Sequence, residues 1–146
     1  MRKRFTVLVI AFMLFTLSGC KSLSARGKQL LDNVPSYTRV AEYARNNLAK
    51  PEYLTSEGHY MINTGELMNS AEIRDDASVI AKDYSYFWIE KDYVLFWNDE
   101  TKTEGILYAF DTGNAISSLR ATYKDLDIEQ LKDKCFLLKQ ARSYIG

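Results

Sequence analysis

Tyr84-Ser85-Tyr86-Phe87-Trp88-Ile89, then Tyr93-Val94-Leu95-Phe96-Trp97, then Gly105-Ile106-Leu107-Tyr108-Ala109-Phe110 are three aromatic and branched runs in close succession. Such residues favour strands, and the polar breaks at 90–92 and 98–104 have hairpin length. The middle of the chain therefore reads as an antiparallel meander. Seven of the fourteen positions from 84 to 97 are aromatic, and alternation distributes them over both faces. Tyr84, Tyr86 and Trp88 share one face and oppose Phe87 and Ile89; Tyr93, Leu95 and Trp97 oppose Val94 and Phe96. The hydrocarbon and phenyl set is the better core, because a buried Tyr hydroxyl or Trp N–H needs a partner. That argument turns Tyr86, Trp88, Tyr93 and Trp97 toward solvent, where exposed Tyr and Trp patches typify binding surfaces.

Outward from this centre the signals are weaker. His59-Tyr60-Met61-Ile62 reads as a short strand closed by Asn63-Thr64-Gly65, and Ala77 to Ala81 as another. Glu66 to Asp76 is polar and suits a loop or a short helical turn. After a turn at Asp111-Thr112-Gly113-Asn114, Ala115 to Thr122 suits a strand, although Ile116, Leu119 and Tyr123 also fit a helical step. On the N-terminal side, Leu30, Leu31 and Val34 predict a short helix ended by Pro35. Tyr37, Val40, Ala44 and Leu48 then predict a second helix, blocked by Pro51. On the C-terminal side, Asp127 and Gln130 have capping-box spacing, and Ile128, Leu131, Cys135 and Leu138 form a stripe extended by Ala141 and Ile145. This predicts a last helix with Cys135 buried in it. The expected fold is α+β: one or more N-terminal helices, an antiparallel β-meander of four to six strands, and a C-terminal helix packed on one sheet face.

The start of the chain carries a different kind of signal. Arg2, Lys3 and Arg4 precede an apolar run from Phe5 to Phe15, the layout of a secretory signal and too short for a membrane span. Leu17-Ser18-Gly19-Cys20 follows, and it resembles the bacterial lipobox. The resemblance implies a cleaved lipoprotein signal peptide at 1–19 and lipidation of Cys20, whose sulfur accepts a diacylglyceryl group while small neighbours admit the peptidase. Two or three acyl chains, palmitate among them, anchor stably where one does not. Residues 20–27 then form the lipidated terminus and a short tether, and 28–146 a single α+β domain close to the membrane. In enterobacteria an aspartate after the lipidated cysteine resembles an inner-membrane retention signal. Lys21 stands there instead, which implies the outer membrane, facing the periplasm.

Composition limits the remaining possibilities. The signal holds three of the nineteen basic residues and no acidic ones, leaving sixteen against nineteen, net −3, in the mature chain. No basic excess points to nucleic acid. Residues 21–50 are net +4, and Lys21, Arg26 and Lys28 near the anchor suit anionic headgroups. Residues 66–111 hold eleven acidic and four basic side chains, net −7. His59 is the only histidine, so His-rich zinc sites are excluded, and no nucleophile elbow, phosphate loop or dinucleotide fingerprint occurs. Asp75-Asp76 with Glu72 lacks calcium-loop spacing, and Asn98-Asp99-Glu100 has the same weakness. No catalytic residue, metal or cofactor is therefore expected. The layout looks like that of small outer-membrane assembly and stress-associated lipoproteins, in which helices precede a compact meander. The expected function is a non-catalytic envelope lipoprotein that binds another envelope protein through its aromatic sheet face. The alternatives are an inhibitor or immunity lipoprotein whose acidic stretch meets a basic toxin or lysozyme-like enzyme, and an envelope hydrolase.

Overall fold

The computed structural model of the chain describes residues 22–97 and 103–140, and it is α+β, built on one six-stranded antiparallel sheet. In chain order the strands are β1 (Tyr60–Asn63), β2 (Tyr86–Ile89), β3 (Tyr93–Trp97), β4 (Glu104–Ala109), β5 (Leu126–Lys132) and β6 (Cys135–Gln140). Their order across the sheet is β1-β2-β3-β4-β6-β5, so β1 and β5 form the two edges. The helices are α1 (Ala25–Leu31), α2 (Val34–Asn47), α3 (Arg74–Ile80) and α4 (Thr112–Thr122). No helix among the described residues is long and apolar enough to cross a membrane.

The three aromatic and branched runs between 84 and 110 form β2, β3 and β4, and the phenyl and aliphatic face is core as expected. Phe87, Ile89, Val94 and Phe96 are buried against α1, α2 and α3 through Leu30, Val34, Tyr37, Val40, Ala44, Ala77 and Ile80. Tyr37 lies 5.3 Å from Phe96 and 6.1 Å from Tyr84, centroid to centroid. The opposite face is not left open as a whole. Leu95, Trp97, Leu107, Ala109, Phe136 and Leu138 form a second core under Ala115 and Leu119 of α4. The sheet is thus covered on both sides, and each central strand is apolar on both of its faces.

Three of the expected elements have the other secondary structure. Residues 127–138 are not a helix but the hairpin β5–β6, which turns at Asp133 with φ 51°. Cys135 to Leu138 is a four-residue apolar run buried on both faces, and periodicity cannot tell such a strand from a helix segment. Asp127 and Gln130 mimic a capping box while lying in edge strand β5. Conversely, 112–122 is helix: the Asp111 carboxylate accepts from Asn114 N–H, so the supposed turn is an N-cap. Residues 77–81 belong to α3 and its cap, with Ile73, Ala77 and Ile80 on one buried face and Asp75 and Asp76 in its first turn. Pro35 opens α2 instead of ending α1, a position that tolerates its missing N–H.

Cys135 is buried without a helix. Its thiol is free and pushed up to about 12, because burial disfavours the thiolate. We expect no labelling of Cys135 by a water-soluble maleimide in the native protein at pH 8 and full labelling in denaturant. Rapid native labelling would place the β4–β6 pairing in error.

The chain enters the fold earlier than a tether ending at Gly27 would allow. Ser24 caps α1: Gly27 N–H donates to its Oγ at 3.0 Å, and its own N–H and hydroxyl donate to Glu129 on β5. These two bonds, the hydroxyl's first, hold the Glu129 carboxyl below its ordinary range. The contact therefore stands at neutral pH and is lost as pH falls through that lowered value. A Cβ on Gly27 would lie 3.0 Å from Glu129 Oε2, so glycine permits this close approach. Arg26 pairs with Glu104 and Asp83 at 2.9 and 3.1 Å, and Tyr84 donates to Glu104 at 2.7 Å. Arg26 is thereby withdrawn from the lipid-facing set read from the sequence.

Candidate functional site

Where α4 stops, the second face of the sheet continues over β1 and β2. Strand alternation and the register Met61↔Trp88↔Leu95 place Met61 and Trp88 on this face, with Tyr86 beside Trp97 one pair along. His59 precedes β1 and stacks on Trp88 at 4.8 Å with an interplanar angle of 33°. Trp88 meets Trp97 edge-on at 6.5 Å, and Trp97 meets Tyr123 edge-on at 6.1 Å. The result is a line of four rings from His59 to Tyr123. Its Trp97 end is sealed by α4 and its Trp88 end is open. Edge-to-face contacts at these separations suit the ring quadrupoles and hold the rings in fixed orientation.

The four aromatic candidates therefore divide. Tyr86 and Trp88 are half-buried, with rings that reach solvent beside Met61. Tyr93 is also half-buried, but its hydroxyl bonds to Ser118 of α4, and burial pushes it up to about 12. Trp97 is only 6% exposed and belongs to the second core, which corrects its expected place on a partner surface. The reason is that residues 112–122 form a helix that covers this face through Ala115 and Leu119. Among the described residues the two exposed large hydrophobic side chains are Met61, 42% exposed, and Leu54, 50% exposed. Leu54 bridges to Tyr60 at the same sheet edge, so both gather at β1.

Carboxylates flank the open end. His59 Nδ1 is 3.8 Å from Glu90 Oε1 and its Nε2 is 3.8 Å from Glu57 Oε2. Burial raises the Glu90 carboxyl above its ordinary range, and the nearby imidazole opposes that rise. The surface thus offers π faces, a thioether and negative charge within one small area. That combination suits an apolar side chain with a cationic neighbour, through dispersion, sulfur–aromatic and cation–π contact. No local pattern marks His59 or Tyr123 as members. His59 has no motif around it, and only the β1–β2 pairing brings it onto Trp88.

The other sequence features fall elsewhere. Asp76 is held by Arg39 through two guanidinium bonds and by Ser36 Oγ at 2.8 Å; these bonds, Arg39's first, keep its carboxyl low. With Asp83 and Glu104 paired to Arg26 and Asp111 capping α4, the acidic stretch 66–111 spends four carboxylates internally and forms no single patch through them. No group of three His, Cys, Asp or Glu suited to a metal ion occurs among the described residues. Cys20 and the whole signal segment lie outside the described residues, as do Asn98-Asp99-Glu100, Ala141 and Ile145. No protein-family model, curated protein or solved structure matches this chain.

Proposed function

We propose that the mature chain is a lipid-anchored protein of the bacterial cell envelope that binds another envelope protein, without catalysis, through the open end of its aromatic face. The reading of Cys20 as the anchor rests on the lipobox, and that of the outer membrane on Lys21. One observation supports the binding role above the others: at the open end of the ring line Trp88 is only half-buried beside the exposed Met61, and the His59 ring stacked on it lies 3.8 Å from Glu57 and from Glu90. Apolar rings left open on an otherwise doubly covered sheet cost hydration free energy that a partner would recover.

Two measurements test it in the native host. Cys20→Ser should abolish incorporation of labelled palmitate and leave the precursor uncleaved; equal labelling of mutant and wild type refutes the anchor. A photo-crosslinking residue at position 61 should give a discrete adduct that the same residue at Ser117, on the outer side of α4, does not. Trp88→Ala should reduce the yield at position 61 several-fold while the protein stays folded. An adduct pattern identical at 61 and 117, or one indifferent to Trp88, overturns the binding face.

A further inference from the structure

We propose that the β5 edge of the sheet faces the domain's own membrane, so that the sheet stands edge-down with β1 and the open aromatic end held away from the lipid. The inference rests on the reading of Cys20 as the lipid anchor. Covalent reach carries it. Ser22 and Leu23 lie along β5, lining an open groove with Asp127, Ile128, Gln130 and Lys139. Two residue steps separate Cys20 from Ser22, a span of about 7 Å even at full extension. The polar layer of a bilayer leaflet is itself roughly 5–8 Å deep. Acyl chains on Cys20 therefore cannot enter the hydrocarbon unless Ser22 stands at or within the headgroups.

Slack further along the chain is limited to the four steps from Cys20 to Ser24, about 14 Å at full extension. Ser24 is fixed to Glu129 by its N–H and its hydroxyl, Gly27 is buried against the same carboxylate, and Arg26 is held by Glu104 and Asp83. The first residue of the domain with a locked position is thus four places after the lipid, and it is locked to the edge strand. The chemistry of that edge fits a hydrated, charged layer. Lys132 and Lys139 lie on or beside it together with Asp127, Glu129 and Asp133, and the unpaired backbone groups of an edge strand can be satisfied by headgroup water. Five strand spacings separate β5 from β1, roughly 24 Å. The Trp88 surface is consequently presented well clear of the headgroups.

The test uses the full-length lipidated chain in vesicles of phosphatidylethanolamine and phosphatidylglycerol. A nitroxide is placed at Asp127→Cys, at Lys132→Cys or at Met61→Cys, with the buried Cys135 left in place. The oxygen-to-nickel-chelate accessibility ratio should be several-fold higher at 127 and 132 than at 61. A flexible insert of about ten Gly and Ser residues between Lys21 and Ser22 adds a reach of roughly 18 Å and should bring position 127 down to the value at 61. Equal ratios at both edges, with lipid detected on Cys20 by mass spectrometry, overturn the orientation alone. Absence of lipid on Cys20 overturns the anchor reading and the orientation with it.

Discussion

Trp97→Ala should lower the unfolding free energy by about 3–5 kcal/mol, the range for truncating a buried aromatic, whereas Trp88→Ala should cost distinctly less. The two indoles touch, yet they sit on opposite sides of the boundary set by α4. Trp97 is sealed among Leu95, Leu107, Leu119, Phe136 and Leu138, and its ring lies across β4 at Gly105. A Cβ at Gly105 would come 2.9 Å from Trp97 Cε3 and 2.8 Å from the Phe96 carbonyl oxygen, so the strand keeps a glycine where the indole crosses it. One term opposes the loss. Trp97 Nε1 is buried and has no hydrogen-bond partner among the described residues. Removing an unpaired buried donor returns about 1–3 kcal/mol of desolvation, which places the net effect in the lower half of the range. Urea unfolding followed by far-UV circular dichroism measures it, with an unchanged m-value as the two-state check. A loss of only a few tenths would mean that α4 does not cover this face.

The boundary between those two tryptophans also explains how far the sequence could be read. The three central strands, their order and the phenyl core were legible because alternation and aromatic density agree with short polar breaks. The helix at 34–47 was legible because Tyr37, Val40 and Ala44 repeat at helical steps with Pro51 beyond them. The hairpin β5–β6 was not, since strands buried on both faces lose their alternation. Its turn hides in Lys132-Asp133-Lys134, with no glycine to mark the left-handed residue. With 112–122 as a strand Trp97 would have no cover and all four aromatic candidates would share one open surface; as a helix it seals Trp97.

For the site, alternation correctly put Tyr86 and Trp88 on a common face but could not find their neighbours. His59 and Met61 reach Trp88 through the β1–β2 pairing, across the twenty or more residues that contain α3. Tyr123 reaches Trp97 through the C-cap of α4. Such long-range adjacency is absent from local pattern. The N-terminal lock is a similar case: Ser24 and Glu129 are 105 positions apart, and nothing in Lys21-Ser22-Leu23-Ser24 marks the serine as more than tether.

Phe96→Ala should be more damaging than Trp97→Ala, in the upper half of the range of about 3–5 kcal/mol, although the two side chains leave β3 in opposite directions. Phe96 is fully buried in the first core, 5.3 Å from the Tyr37 ring and 5.7 Å from Phe87, with Ile106 opposite it on β4. Those contacts join α2 to the centre of the sheet. No polar atom of Phe96 offsets its loss, so the full transfer and cavity terms apply, in contrast to the indole. The surrounding side chains also have little freedom to close the hole. Tyr37 is wedged against Tyr84 as well, and Tyr84 is tied through its hydroxyl to Glu104. Phe96→Leu keeps most of the volume and should cost less than about 1.5 kcal/mol. Because the two substitutions strike cores separated by the sheet but sharing one strand, the double variant Phe96→Ala with Trp97→Ala should lose roughly 6–9 kcal/mol if the two add, enough to abolish cooperative folding at the lower end of ordinary domain stability. A marginal domain of this size has roughly 5–15 kcal/mol to lose. Unfolding curves for the singles, and the loss of cooperative melting in the double, decide it. Two singles that each cost under 1 kcal/mol would mean that β3 is not the shared wall of two cores.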